Sequence, residues 1–313
     1  MRNIKAYIPK GVLEKIKTDD EEEIIYATKK KYLEQINALR GGKALLLYLG
    51  KKYEVKGKTE IDELCKKLDL SEVWYYLTYI HAANTGTYVY AFDKKFSFDP
   101  DDSNLFNKLG QPIWEKIEYK PRLWVAHKED QNNQHIYLSF VLIGKNKTHF
   151  DMVSQSFIEY TTTGLVNCRI HSDDSLIEIT PKDTDKGAVR DVLDYIKVNF
   201  NIGTAKPIEI TDEDIRVFDK KAEETTYEKR EGEEANITVT RAYKGKDTRK
   251  DSIRKDIEDR EFSKEHGLIS IDEKIKTIVG LTRGERGKIQ IQSYLKPNER
   301  IKAFHLIKDM LGW

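Results

Sequence analysis

"RLWVAHKEDQNNQHIYLSFVLIGKNKTHF", residues 122–150, decides the fold. Two runs rich in β-branched and aromatic residues flank the polar segment Glu129–Gln134. That pattern predicts two antiparallel strands joined by a hairpin around Gln131–Gln134, with a second turn at Gly144–Asn146. Strand side chains alternate by face, so Ile136 and Leu138 share one side and Tyr137 takes the other.

Working outward, "GLVNCRIHSDDSLIEI" (164–179) repeats the design, with a turn at Ser172–Ser175. "DKGAVRDVLDYIKVNF" (185–200) is then a helix with Val189, Val192, Leu193 and Ile196 on its inner face. A meander followed by a covering helix implies an antiparallel sheet. Further on, "NITVTRAY" and the hairpin "KIKTIVGLTRGERGKIQIQSYL", turning near Gly284–Gly287, precede a closing helix, "PNERIKAFHLIKDMLGW". Ile301, Phe304, Ile307 and Leu311 face inward on that helix. The two halves suggest a meander-and-helix pseudo-repeat, similar in outline to the doubled saddle of TATA-binding proteins. The polar stretch near 211–262 is expected to be a charged linker or excursion.

Upstream, residues 1–110 form an N-terminal helical module that ends in a short strand, and 111–313 form the sheet domain. Asp19 and Asp20 cap a helix from Glu21, and Gly41-Gly42 ends it. Lys43–Tyr53 is a second helix, and Thr59 starts a third. Asp69-Leu70 makes a turn, and Ser71 caps the helix "SEVWYYLTYIH". Asn84-Thr85-Gly86 stops that helix before the strand "TYVYAF". The fold class is therefore α+β: a winged-helix-like module followed by a large antiparallel sheet with helices on one face.

The shape of a helix-turn-helix does not carry its chemistry here. A groove-reading helix uses Arg, Lys, Asn or Gln on base edges and positive charge on phosphates. Residues 71–81 contain no Arg or Lys and place Glu72 at the leading end. Trp74, Tyr75 and Tyr79 suit a protein contact instead.

The 54 Lys and Arg nearly cancel the 53 Asp and Glu, for a net charge of +1, so nucleic-acid contact must come from local patches. The first patch is "RAYKGKDTRKDSIRKDIEDR", with Arg241, Lys244, Lys246, Arg249, Lys250, Arg254 and Lys255, and with Tyr243 placed to stack on a base. Its interleaved acids also fit a solvated helix laced with ion pairs. The second patch is the hairpin tip "TRGERGK", with Arg283, Arg286 and Lys288; its glycine spacing matches neither common phosphate-binding pattern.

Pro100-Asp101 followed by Glu118-Tyr119-Lys120 is similar to the P-D…E-x-K signature of a large nuclease family. That resemblance implies Asp101 and Glu118 as ligands of a divalent cation and Lys120 as helper to the attacking water. Pro121 interrupts the strand on which these residues should lie. His149 with Asp151, and His171 with Asp173-Asp174, have no ligand spacing that demands a metal. Two cysteines, Cys65 and Cys168, provide neither a disulfide framework nor a thiolate zinc site.

The N-terminus lacks the apolar core of a signal peptide, and no run reaches transmembrane length. A cytoplasmic or nucleoid-associated location without membrane contact is expected, in a composition shared by heat-adapted proteins and AT-rich genomes. The functional expectation is a non-enzymatic binder of DNA, RNA or a nucleoprotein complex that uses no cofactor and no metal, with a protein partner on the N-terminal module. The alternatives are the metal-dependent nuclease and a protein-interaction scaffold.

Overall fold

A computed structural model describes residues 20–55, 61–94, 121–130, 134–152, 155–182, 184, 187–200, 202–234, 237–243, 264–292 and 294–313. The protein is α+β, with seven helices among the described residues and antiparallel strands throughout its sheets. It divides into two compact units, Met1–Ala82 with Phe92–Ala205 and Ala83–Ala91 with Lys206–Trp313. This division differs from a cut near residue 110. The helical module and the 122–182 meander form one unit, while most of the strand after the module belongs to the other.

In the first unit, α1 (Glu21–Ala38) starts where Asp20 accepts hydrogen bonds from the backbone N–H groups of Glu22 and Glu23, at 2.9 and 3.4 Å. Three glutamates fill its first turn, where the helix dipole favours negative charge. It buries Ile24, Thr28, Tyr32, Leu33 and Ile36. Gly41, with φ of 81°, turns the chain into α2 (Gly42–Lys52). Next come α3 (Ile61–Lys67) and α4 (Leu70–Ala82). Asp62 ties α3 to α1 by accepting from Tyr26 Oη at 2.8 Å and pairing with Lys30 at 2.9 Å. α4 begins at Leu70, ahead of the expected cap Ser71, and the Asp69 N–H donates to the Glu72 carboxylate at 3.0 Å.

The turn between α1 and α2 needs glycine for space as well as for conformation. A Cβ on Gly42 falls 1.6 Å from the Ile36 carbonyl oxygen, and backbone cannot swing aside as a side-chain tip can. Gly42→Ala is expected to cost about 1–3 kcal/mol. Gly50, inside α2, has nothing within 4 Å of that position, so Gly50→Ala stabilises by about 1 kcal/mol. Urea denaturation of the two variants should give opposite signs; a neutral Gly42→Ala would show that the turn yields.

The sheet of this unit is the meander β2 (Arg122–Lys128), β3 (His135–Asp151), β4 (Ser156–His171) and β5 (Leu176–Lys182), each strand antiparallel to the next. β3 runs straight through Gly144–Asn146, where a turn was expected. A register shift between Ile143 and Asn146 absorbs the glycine as an irregularity in the ladder. Among the described residues, β2 pairs with β3 up to Val141 and β5 pairs with β4 from Leu165. Beyond those points, β3 and β4 continue as a two-stranded ribbon with Phe150 opposite Phe157.

Both faces of the meander are covered. Ile136, Leu138 and Phe140 lie with Val166, Cys168, Ile170, Ile177 and Ile179 on the side of α5 (Ala188–Phe200), where Phe140 meets Tyr195 edge-on at 6.4 Å. Tyr137, from the opposite face, meets Tyr75 of α4 at 5.0 Å. The sequence suggested helices on one side only.

The second unit is built around the strand order β1-β11-β10-β9-β7-β8, with β6 (Ala205–Pro207) pairing β1 (Thr87–Phe92). The remaining strands are β7 (Glu224–Glu234), β8 (Ile237–Tyr243), β9 (Lys264–Ser270), β10 (Lys276–Thr282) and β11 (Lys288–Ile291). The supposed linker is not one over its described part. α6 (Asp212–Lys221) has a reciprocal cap between Thr211 and Asp214, and it buries Ile215 and Phe218, three residues apart. Two well-spaced apolar residues suffice to dock a charged helix. Val279, Leu281, Ile289, Ile291 and Ile269 are buried on the face toward α6 and α7 (Pro297–Leu311). There a Cβ on Gly267 would meet the Phe218 ring at 2.6 Å, and Arg300 reaches Thr87 at 3.2 Å. Both units end in a helix, but β7 lies between β8 and β9, so the second sheet is not a copy of the plain meander. No described helix is long and apolar enough to cross a membrane.

Candidate functional site

Side chains from α4 and the four meander strands meet in a buried polar network on the α4 face. Register sets the rows: His135 lies opposite His171, and Tyr137 opposite Arg169, which is opposite Glu178. Arg169 Nε and Nη2 donate to the two oxygens of Glu129 at 2.5 and 2.9 Å, a bidentate pair. Arg169 Nη1 reaches Glu178 at 3.4 Å, and its guanidinium lies 5.8 Å from the Tyr137 ring centre. Tyr75 Oη donates to Glu129 at 2.6 Å, while its ring stacks on His127 at 4.0 Å. Asn167 accepts from Ser139 at 2.7 Å and donates to the Thr78 carbonyl at 3.0 Å, fastening the sheet to α4.

Glu129 is fully enclosed, with 0% of its side chain exposed. Burial opposes its charge, but the guanidinium and the hydrogen bonds from Arg169 and Tyr75 outweigh it and hold its carboxyl below the usual range. Burial likewise disfavours the Arg169 cation, and Glu129 and Glu178 overcome that, keeping it protonated. Burial first, then the Glu129 charge, pushes the Tyr75 hydroxyl well up, so it acts as a donor. At the edge of the network His171 Nε2 lies 2.9 Å from Glu178 Oε1, and His171 Nδ1 lies 3.1 Å from Nδ1 of His135.

A different surface occupies the second unit. Tyr88 pairs with Lys288, and the rows continue through Gln290 opposite Gly280, itself opposite His266. These residues lie on the face away from α6. Lys288 Nζ sits 5.7 Å from the Tyr88 ring centre, and a Cβ on Gly86 would fall 1.8 Å from Lys288 Cε, so glycine makes room for that side chain. Gln292 and His266 are joined at 2.8 Å, and Gln290 donates to the Asn84 carbonyl at 2.8 Å. Tyr88, Lys288, His266, Gln290 and Gln292 are half-buried, and Arg286 and Ile278 are exposed.

The chain matches no known protein-family model and no curated protein. Geometry alone therefore carries the functional reading.

The residues singled out from sequence fall into four groups. Arg283, Arg286 and Lys288 are brought together on the β10–β11 hairpin, where Arg283 pairs with Asp212 at 3.1 Å. Arg241 and Tyr243 lie on β8, opposite Lys229 and Tyr227. Lys244, Lys246, Arg249, Lys250, Arg254 and Lys255 lie outside the described residues, as do Asp101, Glu118 and Lys120. Trp74, Tyr75 and Tyr79 require correction as protein contacts. All three are buried, because α4 is enclosed almost all round and spends its aromatic side chains inside the chain. Neither thiol is prepared as a nucleophile: burial pushes Cys65 up to about 11 and Cys168 higher still.

Glu129, Arg169, Glu178 and His135 escaped notice in the sequence. In "NCRIH" the alternation of polar and apolar residues gives Arg169 and His171 the pattern of a solvent-facing row. The pattern is the same whether water or a polar-lined helix covers that row.

Proposed function

We propose that this chain is a non-enzymatic nucleic-acid-binding protein that takes single-stranded DNA or RNA across the Tyr88–Lys288 face of its second unit. One observation carries the reading: a lysine held against a half-exposed tyrosine on a sheet face, beside the exposed Arg286. Aromatic rings give bases a stacking platform of any sequence, and adjacent cations follow the backbone. Gln290, Gln292 and His266 add neutral donors and acceptors along the same rows. With a net charge of only +1, this reading assigns the attraction to local cations, in this patch and in the basic segment from Arg241 to Lys255.

Fluorescence anisotropy with a labelled single strand, over a salt series, tests the proposal. Gln at Arg286 and Lys288 is expected to flatten the log K against log salt line by about 0.7 per lost phosphate contact. Tyr88→Ala should cost about 1–3 kcal/mol of affinity and leave the slope alone. Gln at Arg249, Lys250, Arg254 and Lys255 measures the share of the other segment. Wild-type protein that binds no oligonucleotide, or face variants that bind as tightly with the same slope, would overturn the assignment.

The protein-scaffold reading has its own supporting observation. Phe150, Met152, Phe157 and Ile158 expose between 42% and 78% of their surfaces at the tip of the β3–β4 ribbon. Loss of partner capture on replacing Phe157 and Met152 with Ser, with nucleic-acid binding absent, would favour it.

A further inference from the structure

We propose that His135 and His171 form a binding site for a divalent transition metal of the zinc class. The proposal is independent of nucleic-acid binding and rests on the first unit alone.

The two imidazoles are opposed across the β3–β4 ladder, a register that brings their Nδ1 atoms to 3.1 Å. Zinc–imidazole bonds are about 2.0–2.1 Å long, so a metal bonded to both atoms subtends roughly 98°, between octahedral and tetrahedral angles. The tautomer of His171 is set from behind. Its Nε2 lies 2.9 Å from Glu178 Oε1, and a carboxylate there accepts a hydrogen bond from Nε2–H and leaves the Nδ1 lone pair pointing at His135. Glu178 is itself anchored by Arg169 at 3.4 Å, so the ring is held in place before any ion arrives. Without an ion, His135 Nδ1–H donates to the His171 lone pair as an ordinary imidazole hydrogen bond; in its Nε2–H form His135 turns a second lone pair to the same point, the arrangement a bridging metal requires.

The chemistry of the pair selects the ion. Two neutral imidazoles suit zinc, cobalt, nickel or copper over magnesium or calcium, which take oxygen ligands. His171 is fully buried, but 16% of the His135 side chain is exposed, which gives the ion a way in and leaves positions for water. Glu178 is occupied with His171 and Arg169, and the Asp130 carboxylate accepts from the backbone N–H groups of Gln134 and His135 at 2.9 and 3.0 Å. Neither carboxylate is placed as a ligand; both hold the rings or the turn that bears them.

The full-length chain, stripped with chelator, would be titrated with Co2+ while visible absorption is recorded, and the cobalt then displaced with Zn2+. One equivalent with imidazole-type ligand-field bands is expected. His135→Ala, at the partly exposed edge, should fold normally by circular dichroism and lose at least tenfold in affinity. Glu178→Gln should lose roughly ten- to a hundredfold, because it frees the ring it orients. Wild-type protein with no cobalt bands would overturn the proposal and leave the pair as an imidazole–imidazole hydrogen bond. Unchanged affinity in a folded His135→Ala would overturn it too, by placing the ion elsewhere.

Discussion

Replacing Arg169 with Met is expected to cost about 3–5 kcal/mol at pH 7, because it strands Glu129 as a buried anion without its cation and takes one partner from the buried Glu178. Both carboxylates sit almost wholly out of water, with 0% and 2% of their side chains exposed. The variant should also change how stability responds to acid. In the wild type the folded-state pKa of Glu129 is depressed, so its charge contributes stability above its unfolded value, and that stability is lost as pH falls through the folded value. Arg169 is raised and stays charged over the whole range. Without the guanidinium, burial dominates and lifts the folded Glu129 carboxyl above its unfolded value. A raised carboxyl protonates first in the folded state, so the variant should gain stability as pH falls from 7 toward 5, where the Glu129 contribution of the wild type is level and is lost only at lower pH. Urea midpoints at pH 7, 5 and 4 measure both the size and the sign. A variant within 1 kcal/mol of wild type, with the same acid profile, would show that the network is open to water.

The β3–β4 hairpin offers a comparably large effect from a single residue type. Phe140 has 0% of its surface exposed and packs against Tyr195, whereas Phe157 has 73% exposed on the ribbon. Phe140→Ala is expected to cost about 3–5 kcal/mol, the sum of lost apolar burial and an unfilled cavity. Phe157→Ala should stay within about 0.5 kcal/mol of wild type. Native-state hydrogen exchange ought to show the same division, with amides of Ile136–Val141 slow and those of the ribbon fast. Equal destabilisation by the two substitutions would mean that the ribbon is docked.

Much of the fold was legible. Asp20, Gly41 and Pro297 mark element ends by local chemistry, and the structure uses them there. Ile136 and Leu138 fall on one face with Tyr137 opposite, because strand alternation is a backbone property. The misreadings share a cause. Gly144 looks like a turn, yet a long hairpin carried it through as a shift in register. Residues 212–221 look like linker by charge, although Ile215 and Phe218 anchor a helix. In each case a long-range pairing or packing partner outweighed a local preference.

The sequence by itself determined the α+β class, the meander and the bounds of most helices. These follow from hydrophobic period, caps and turn residues, which act within a few residues of one another. Only the tertiary structure decided which strand row faces water. The row of Tyr137, Arg169 and Glu178 lies beneath α4, so its charges satisfy one another in a buried cluster. The Tyr88–Lys288 row, of similar polar character, stays half-exposed. Alternation fixes which residues share a face, but what covers that face depends on elements distant in the chain, brought there by burial of other surfaces.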